Sequence, residues 1–156
     1  MEPIEEATAA DVPELAELLN VLFAQEADFQ PDREKQMRGL RLIVDAPDRG
    51  RIFLARTDGE VVGMVSLLFT VSTAAGAAAC WLEDMIVRPD RRRKGLGSRL
   101  LRHALEYAKA NGFVRVTLLT DQVNAEAIRF YERHGFRRSA MIPLRKQLQR
   151  ARIAGS

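Results

Sequence analysis

Met85-Ile-Val-Arg-Pro-Asp-Arg-Arg-Arg-Lys-Gly-Leu-Gly-Ser98 decides the fold. The end of an apolar strand runs into a basic turn, two glycines stand at alternate positions, and a helical repeat follows through Leu96, Leu100, Leu101, Ala104, Leu105 and Ala108. Glycine has no Cβ, so the backbone can take unusual dihedrals and approach a ligand closely. A helix begins with unpaired N–H groups and a partial positive charge, which suits a phosphate. Arg91, Arg92, Arg93 and Lys94 add full charges at the same spot. This order of strand, basic Gly-x-Gly turn and helix reads as a pyrophosphate cradle. It lacks the third glycine and the acidic ribose partner of a dinucleotide fingerprint, and no Gly-Lys-Ser/Thr marks a Walker loop.

Working outward, the pattern is that of an α/β protein. Residues 3–8 suit a short strand. Asp11 reads as a helix N-cap before Leu15, Leu18, Leu19, Leu22 and Phe23, which follow helical spacing. After a break at Gln25–Gln30, Pro31-Asp32 starts a second helix through Met37, Leu40, Ile43 and Val44. Strands at 51–56 and 60–71 are joined by Thr57-Asp-Gly-Glu60, a hairpin signal. A strand at 79–88 leads into the glycine turn. The helix at 96–111 ends at Gly112, a strand covers 114–120, and a helix at 124–134 ends at Gly135. A last strand is expected at 136–141. The order is β-α-α-β-β-β-α-β-α-β. Pro143 interrupts the final apolar run and leaves Leu144–Leu148 as the only seventh strand, at an edge or break. One domain over 1–149 and a disordered tail at 150–156 are expected.

Composition narrows the function classes. The chain has 156 residues, of which 47% are hydrophobic and 29% charged, as in a soluble globular domain. A net charge of +3, concentrated at 88–94 and 137–152, is too small and local for a nucleic-acid coat, and no interleaved aromatics accompany it. Cys80 is the single cysteine, which excludes an internal disulfide and a thiolate metal cluster, and it suits a small buried hydrophobe. No metal site is expected. No apolar run is long enough to span a bilayer, and the acidic start lacks a signal-peptide core, so a cytoplasmic location without membrane attachment is expected.

Arg92-Arg-Lys-Gly95-Leu-Gly97 resembles the Arg/Gln-x-x-Gly-x-Gly/Ala loop of the GNAT superfamily of N-acetyltransferases. Asn124-Ala-Glu-Ala-Ile-Arg-Phe-Tyr131, with Gly135-Phe136 after it, resembles that superfamily's second motif. The element order is similar across nearly the whole chain. The resemblance implies a mixed central sheet of six or seven strands with about four helices, acetyl-CoA as co-substrate, and often a homodimer. It implies that Arg92, Arg93, Lys94, Gly95, Leu96, Gly97 and Ser98 hold the pyrophosphate, that Asn124 contacts the cofactor, and that the Tyr131 hydroxyl protonates the departing thiolate. A phenol of pKa about 10 can donate to a thiolate of pKa about 8.5 held in hydrogen-bond reach. By themselves, Asn124 suits a helix N-cap and Tyr131 suits core packing.

Acetyl transfer to an amine makes further demands. A backbone N–H from Met85, Ile86 or Val87 can polarise the thioester carbonyl, with the pantetheine arm in a gap between this strand and the strand at 114–120. An ammonium of pKa about 10.4 must lose its proton before it attacks. Glu83 and Asp84 are the candidate acceptors of that proton, and Trp81-Leu-Glu-Asp-Met-Ile-Val87 resembles the matching strand of diamine acetyltransferases, where the glutamate is a proposed base. Glu83 is the choice as catalytic base. Strand alternation lets only one of the two face the cleft unless a bulge intervenes, and a structural pair with an arginine is the alternative. Glu26, Asp28 and Phe29, in the break between the first helices, form with Asp84 a candidate acceptor site. Its acidity would attract a cationic small-molecule amine, whereas a solvated loop is the plain reading. His103 and His134 read as a surface residue and a helix C-terminal residue. A catalytically silent CoA sensor, a protein lysine or N-terminal acetyltransferase and a nucleic-acid module are the competing classes.

Overall fold

The computed structural model describes residues 3–24 and 31–149. Two compact units divide the chain, 1–119 and 120–156. The first contains strands β1 (Ile4–Glu6), β2 (Gly50–Thr57), β3 (Glu60–Ser72), β4 (Ala77–Val87) and β5 (Val116–Leu118), and helices α1 (Val12–Ala24), α2 (Arg33–Val44) and α3 (Leu96–Ala110). The sheet order is β1-β2-β3-β4-β5. The first four strands form an antiparallel meander, and β5 joins β4 in parallel after the α3 crossover.

Each element has a local cause. Asp58 (φ 51°) and Gly59 (φ 82°) make the β2–β3 turn, with both central residues left-handed as a tight hairpin requires. Asp32 caps α2 by accepting from the Lys35 N–H at 3.1 Å. Asp11 is not the α1 cap. It closes a 3-10 turn at Ala9–Asp11, where its carboxylate accepts from the Thr8 N–H at 2.8 Å, and α1 continues directly from it.

Helices cover both faces of the sheet. Ile52, Leu54, Met64 and Ile86 share a core with Val12, Leu15, Leu18, Leu19 and Leu40 of α1 and α2. The opposite face meets α3: Phe53 packs on His103 and Tyr107, with ring centroids 4.7 and 5.2 Å away. His103 is therefore half-buried against an aromatic ring rather than a surface residue. No helix among the described residues is long and apolar enough to cross a membrane.

The second unit contains α4 (Ala125–Arg133), followed by chain without strand through Gln149. The sheet thus has five strands among the described residues, not the expected six or seven. The strand expected at 136–141 does not form, and the stretch at 144–148 left as the only place for a seventh does not form one either. Pro143 offers no N–H to a ladder, and Met141, Ile142, Leu144 and Leu148 are all exposed, so no buried face rewards extended pairing. The predicted tail at 150–156 lies outside the described residues.

Candidate active site

The basic turn is built in steps from the end of β4. Arg88 N–H bonds the Val62 carbonyl at 2.8 Å, and one 3-10 turn, Pro89–Arg91, reverses the chain. Arg93 (φ 64°) and Gly95 (φ 81°) then take left-handed backbone, which only glycine adopts without strain. Gly95 heads α3, and the first bond of the helix runs from Arg99 N–H to its carbonyl at 3.1 Å. The Leu96 and Gly97 amides before it lie at the unsatisfied, positive end of the helix dipole.

Charges in the turn divide into two groups. The Arg88 guanidinium is held by Asp90 at 2.8 Å and Glu60 at 3.0 Å, so it locks the turn. Arg92 Nε donates to the Val87 carbonyl at 3.0 Å and ties the loop to the strand end. Arg93 and Lys94 are exposed and make no ion pair among the described residues. Arg91, which the family motif does not include, has a buried Nε without a hydrogen-bond partner. A Cβ at Gly95 would meet nothing within 4 Å, so the cradle is open there. Open backbone, an orphaned guanidinium nitrogen and two uncommitted cations at a helix head fit a pyrophosphate group. Leu96 is buried and anchors the helix, whereas Gly97 and Ser98 are half-buried at its first turn.

The first turn of α3 can sit this close because of Gly63. A Cβ on Gly63 would stand 2.8 Å from Leu100 Cδ1 and 3.6 Å from Leu96 Cδ2. The missing side chain lets both leucines press onto β3.

β4 opens where the chemistry is expected. Its pairing with β5 covers Cys80–Leu82, whereas β4 runs on to Val87. Met85, Ile86 and Val87 therefore lie beyond the last β5 partner. Antiparallel strands send alternate N–H groups to the neighbour. Arg88 N–H points to β3, so the Ile86 N–H does too, and the Met85 and Val87 N–H groups point to the open side. The Ile86 side chain belongs to the core and its N–H faces β3, which leaves Met85 and Val87 as the residues with main-chain donors on the open edge.

The fork begins at a β-bulge. Ser66 pairs with Asp84 and Leu67 with Leu82, so Glu83 is an extra residue on β4. The alternation that would separate Glu83 from Asp84 is broken here. Glu83 is exposed. Asp84 is half-buried, its N–H donating to Ser66 Oγ at 3.0 Å and its Oδ2 accepting from the same hydroxyl at 3.3 Å. No arginine pair with Glu83 forms among the described residues. Ser66 carries no motif, because its role exists only in the ladder register.

In the second unit, Asn124 caps α4, its Oδ1 accepting from the Ala127 N–H at 3.1 Å, which leaves its amide N–H₂ group to donate elsewhere. Tyr131 packs edge-on against Phe130 and Phe136, with ring centroids 5.2 and 5.6 Å away. Burial pushes its phenol up to about 12, so the hydroxyl holds its proton across the neutral range. His134 caps the helix C-terminus and packs edge-on against Phe130. Glu26, Asp28 and Phe29 lie outside the described residues.

A sequence profile of the Acetyltransferase (GNAT) family matches residues 12–136. Streptothricin acetyltransferase of Streptomyces lavendulae is 38% identical over 87 residues, which are 55% of this chain but only 44% of that protein, so the match spans less than half of it. Aminoalkylphosphonate N-acetyltransferase of Salmonella typhimurium is 32% identical over 133 residues, 85% of this chain and 83% of that one. Among solved structures, an integron cassette protein from the mobile metagenome of Cole Harbour Salt Marsh superposes with a TM-score of 0.82 at 28% identity, covering 95% of this chain and 91% of that one. The chain belongs to the acetyltransferase (GNAT) family.

Proposed function

We propose that this protein transfers the acetyl group of acetyl-CoA to a primary amine of a small, cationic acceptor. The observation that carries the reading is the forked end of β4: main-chain donors on an open strand edge lead straight into an anion-binding helix head. Acetyl-CoA supplies an acyl group activated as a thioester. Arg92–Ser98 hold the pyrophosphate, and Asn124 donates its amide to the cofactor. The N–H of Met85 or Val87 donates to the acetyl oxygen, where charge builds up during attack. Glu83, beside Asp84, takes the ammonium proton, directly or through water, and Tyr131 returns a proton to the departing thiolate. The aminoalkylphosphonate relative supports an amine acceptor.

A panel of amines assayed with acetyl-CoA, reading released thiol, tests the activity. Cys80 does not disturb that readout, because burial pushes its thiol up to about 11 and the thiolate is scarce at neutral pH. Calorimetry with Gly97→Asp tests the cradle, and unchanged CoA affinity would remove it. Glu83→Gln tests the base. Its rate should fall most near neutral pH and recover as the pH approaches the amine's own pKa, whereas a profile parallel to wild type excludes Glu83. Acetyl-CoA binding without turnover of any amine would leave a CoA sensor in place of the enzyme.

A further inference from the structure

We propose that Trp81 recognises a second, non-reacting cationic group on the acceptor. The proposal rests on the amine-acetylation reading above and names the acceptor feature that the site selects. Trp81 is the only tryptophan of the chain. It lies inside the sheet, paired with Leu68 of β3 and Thr117 of β5, yet its relative exposure is 39%. An indole buries a large apolar area when it is covered, so an open one within a sheet is a poor use of that surface for folding. It makes no ring contact among the described residues.

The bulge determines what shares its face. Leu68 and Ser66 are two residues apart on β3 and project to the same side, the side of Ile52 and the α1–α2 core. Trp81 pairs with Leu68 and Asp84 with Ser66, so Trp81 and Asp84 share that face although they are three residues apart. A regular strand would have put them on opposite faces. The bulge thus aligns an exposed indole, an exposed glutamate and a clamped aspartate along one strand. Asp84 and Glu83 lie at the fork, where the reacting amine is proposed to sit, and Trp81 lies further from the glycine turn. Three strand residues, one of them in a bulge, separate the two ends by roughly 7–10 Å. A cation over an indole face is attracted by the ring quadrupole. An acceptor with two ammonium groups about that far apart engages both ends, and a monoamine of the same length engages only one.

The test compares pentylamine with the pentane diamine that carries an ammonium at each end. For wild type, kcat/KM is expected to favour the diamine by about 3- to 30-fold. Trp81→Leu should bring that ratio close to one with CoA affinity unchanged, and Trp81→Phe should keep part of it. An unchanged ratio in Trp81→Leu overturns the proposal. A second readout needs no turnover: because Trp81 is the sole tryptophan, its emission reports the site directly. Saturable change on adding diamine, with far less on adding pentylamine, supports the proposal, and no change with either overturns it. Turnover with no emission change and no variant effect rejects Trp81 alone. A saturable emission change without any acetylation rejects the acetyltransferase reading and keeps the cation site. If Trp81→Leu does not fold, Trp81→Phe and the wild-type titration still decide.

Discussion

Ser66 and Asp84 face each other across the β3–β4 ladder, and one fully buried hydroxyl serves both the main chain and the carboxylate of its partner. The Ser66 hydroxyl accepts from the Asp84 N–H and donates to its Oδ2, so it holds the bulge and the acid together. Ser66→Ala removes both bonds and leaves the Asp84 amide without its acceptor. A loss of about 1–3 kcal/mol in urea unfolding is expected, with an unchanged m-value. A midpoint equal to wild type would show that the clamp contributes nothing to the bulge.

Tyr131 is half-buried among Phe130 and Phe136, and its phenol is held protonated by burial. Tyr131→Phe keeps the ring and its packing and removes only the transferable proton. The turnover rate should fall about 10- to 10⁴-fold with acetyl-CoA affinity nearly intact. Because burial raises this phenol to about 12, ionisation of Tyr131 should not shape the wild-type pH–rate profile below about pH 10. Unchanged turnover, with chemistry shown to limit the rate, would leave Tyr131 as a packing residue.

Much of this was legible from local chemistry. The Asp58-Gly59 turn, the Gly95 helix start and the Gly112 helix end all have the left-handed backbone that their residues announce. What stayed hidden depends on pairing between distant segments. The bulge at Glu83 has no local signature, since it exists only as a mismatch between β3 and β4. Arg88 reads only as part of the basic run at 88–94, and the fold alone shows Asp90 and Glu60 holding its guanidinium. His103 falls off the apolar stripe of its helix, yet Phe53 on the neighbouring strand gives it an aromatic contact. The strand expected after Phe136 found no buried face, since Met141, Ile142, Leu144 and Leu148 are all exposed.

Gly63 sets how closely α3 approaches the sheet. Its Cβ direction points at Leu100 Cδ1, 2.8 Å away, and at the Ile86 carbonyl, 3.4 Å away. Gly63→Ala can be met by swinging the end of Leu100. Gly63→Val adds branches against a backbone oxygen that cannot yield. It should cost about 1–3 kcal/mol and displace the head of α3, weakening CoA binding as well. Full CoA affinity in a destabilised Gly63→Val would show that the cradle does not depend on this packing.

Arg56 collects three carboxylates at the start of the chain: Asp11 at 2.7 Å, and Glu5 and Glu14 at 3.4 Å each. Partial burial alone would raise the Asp11 carboxyl, but the Thr8 N–H and the Arg56 guanidinium outweigh it and hold it below its ordinary 3.8. A folded-state pKa below the unfolded one means that the unfolded chain binds a proton first on acidification. The stabilisation is therefore present above pH 3.8 and is lost as the pH falls through the lower, folded value. Asp11→Asn keeps an oxygen for the Thr8 N–H and removes the charge that faces Arg56. It should lower stability by about 0.5–1.5 kcal/mol at neutral pH, and the gap to wild type should close as both proteins are acidified through that lower, folded value. Urea unfolding of the pair at several pH values checks this. A gap that stays constant from neutral to acid pH would mean that the aspartate acts through its shape and its bond to Thr8, with no net contribution from its charge.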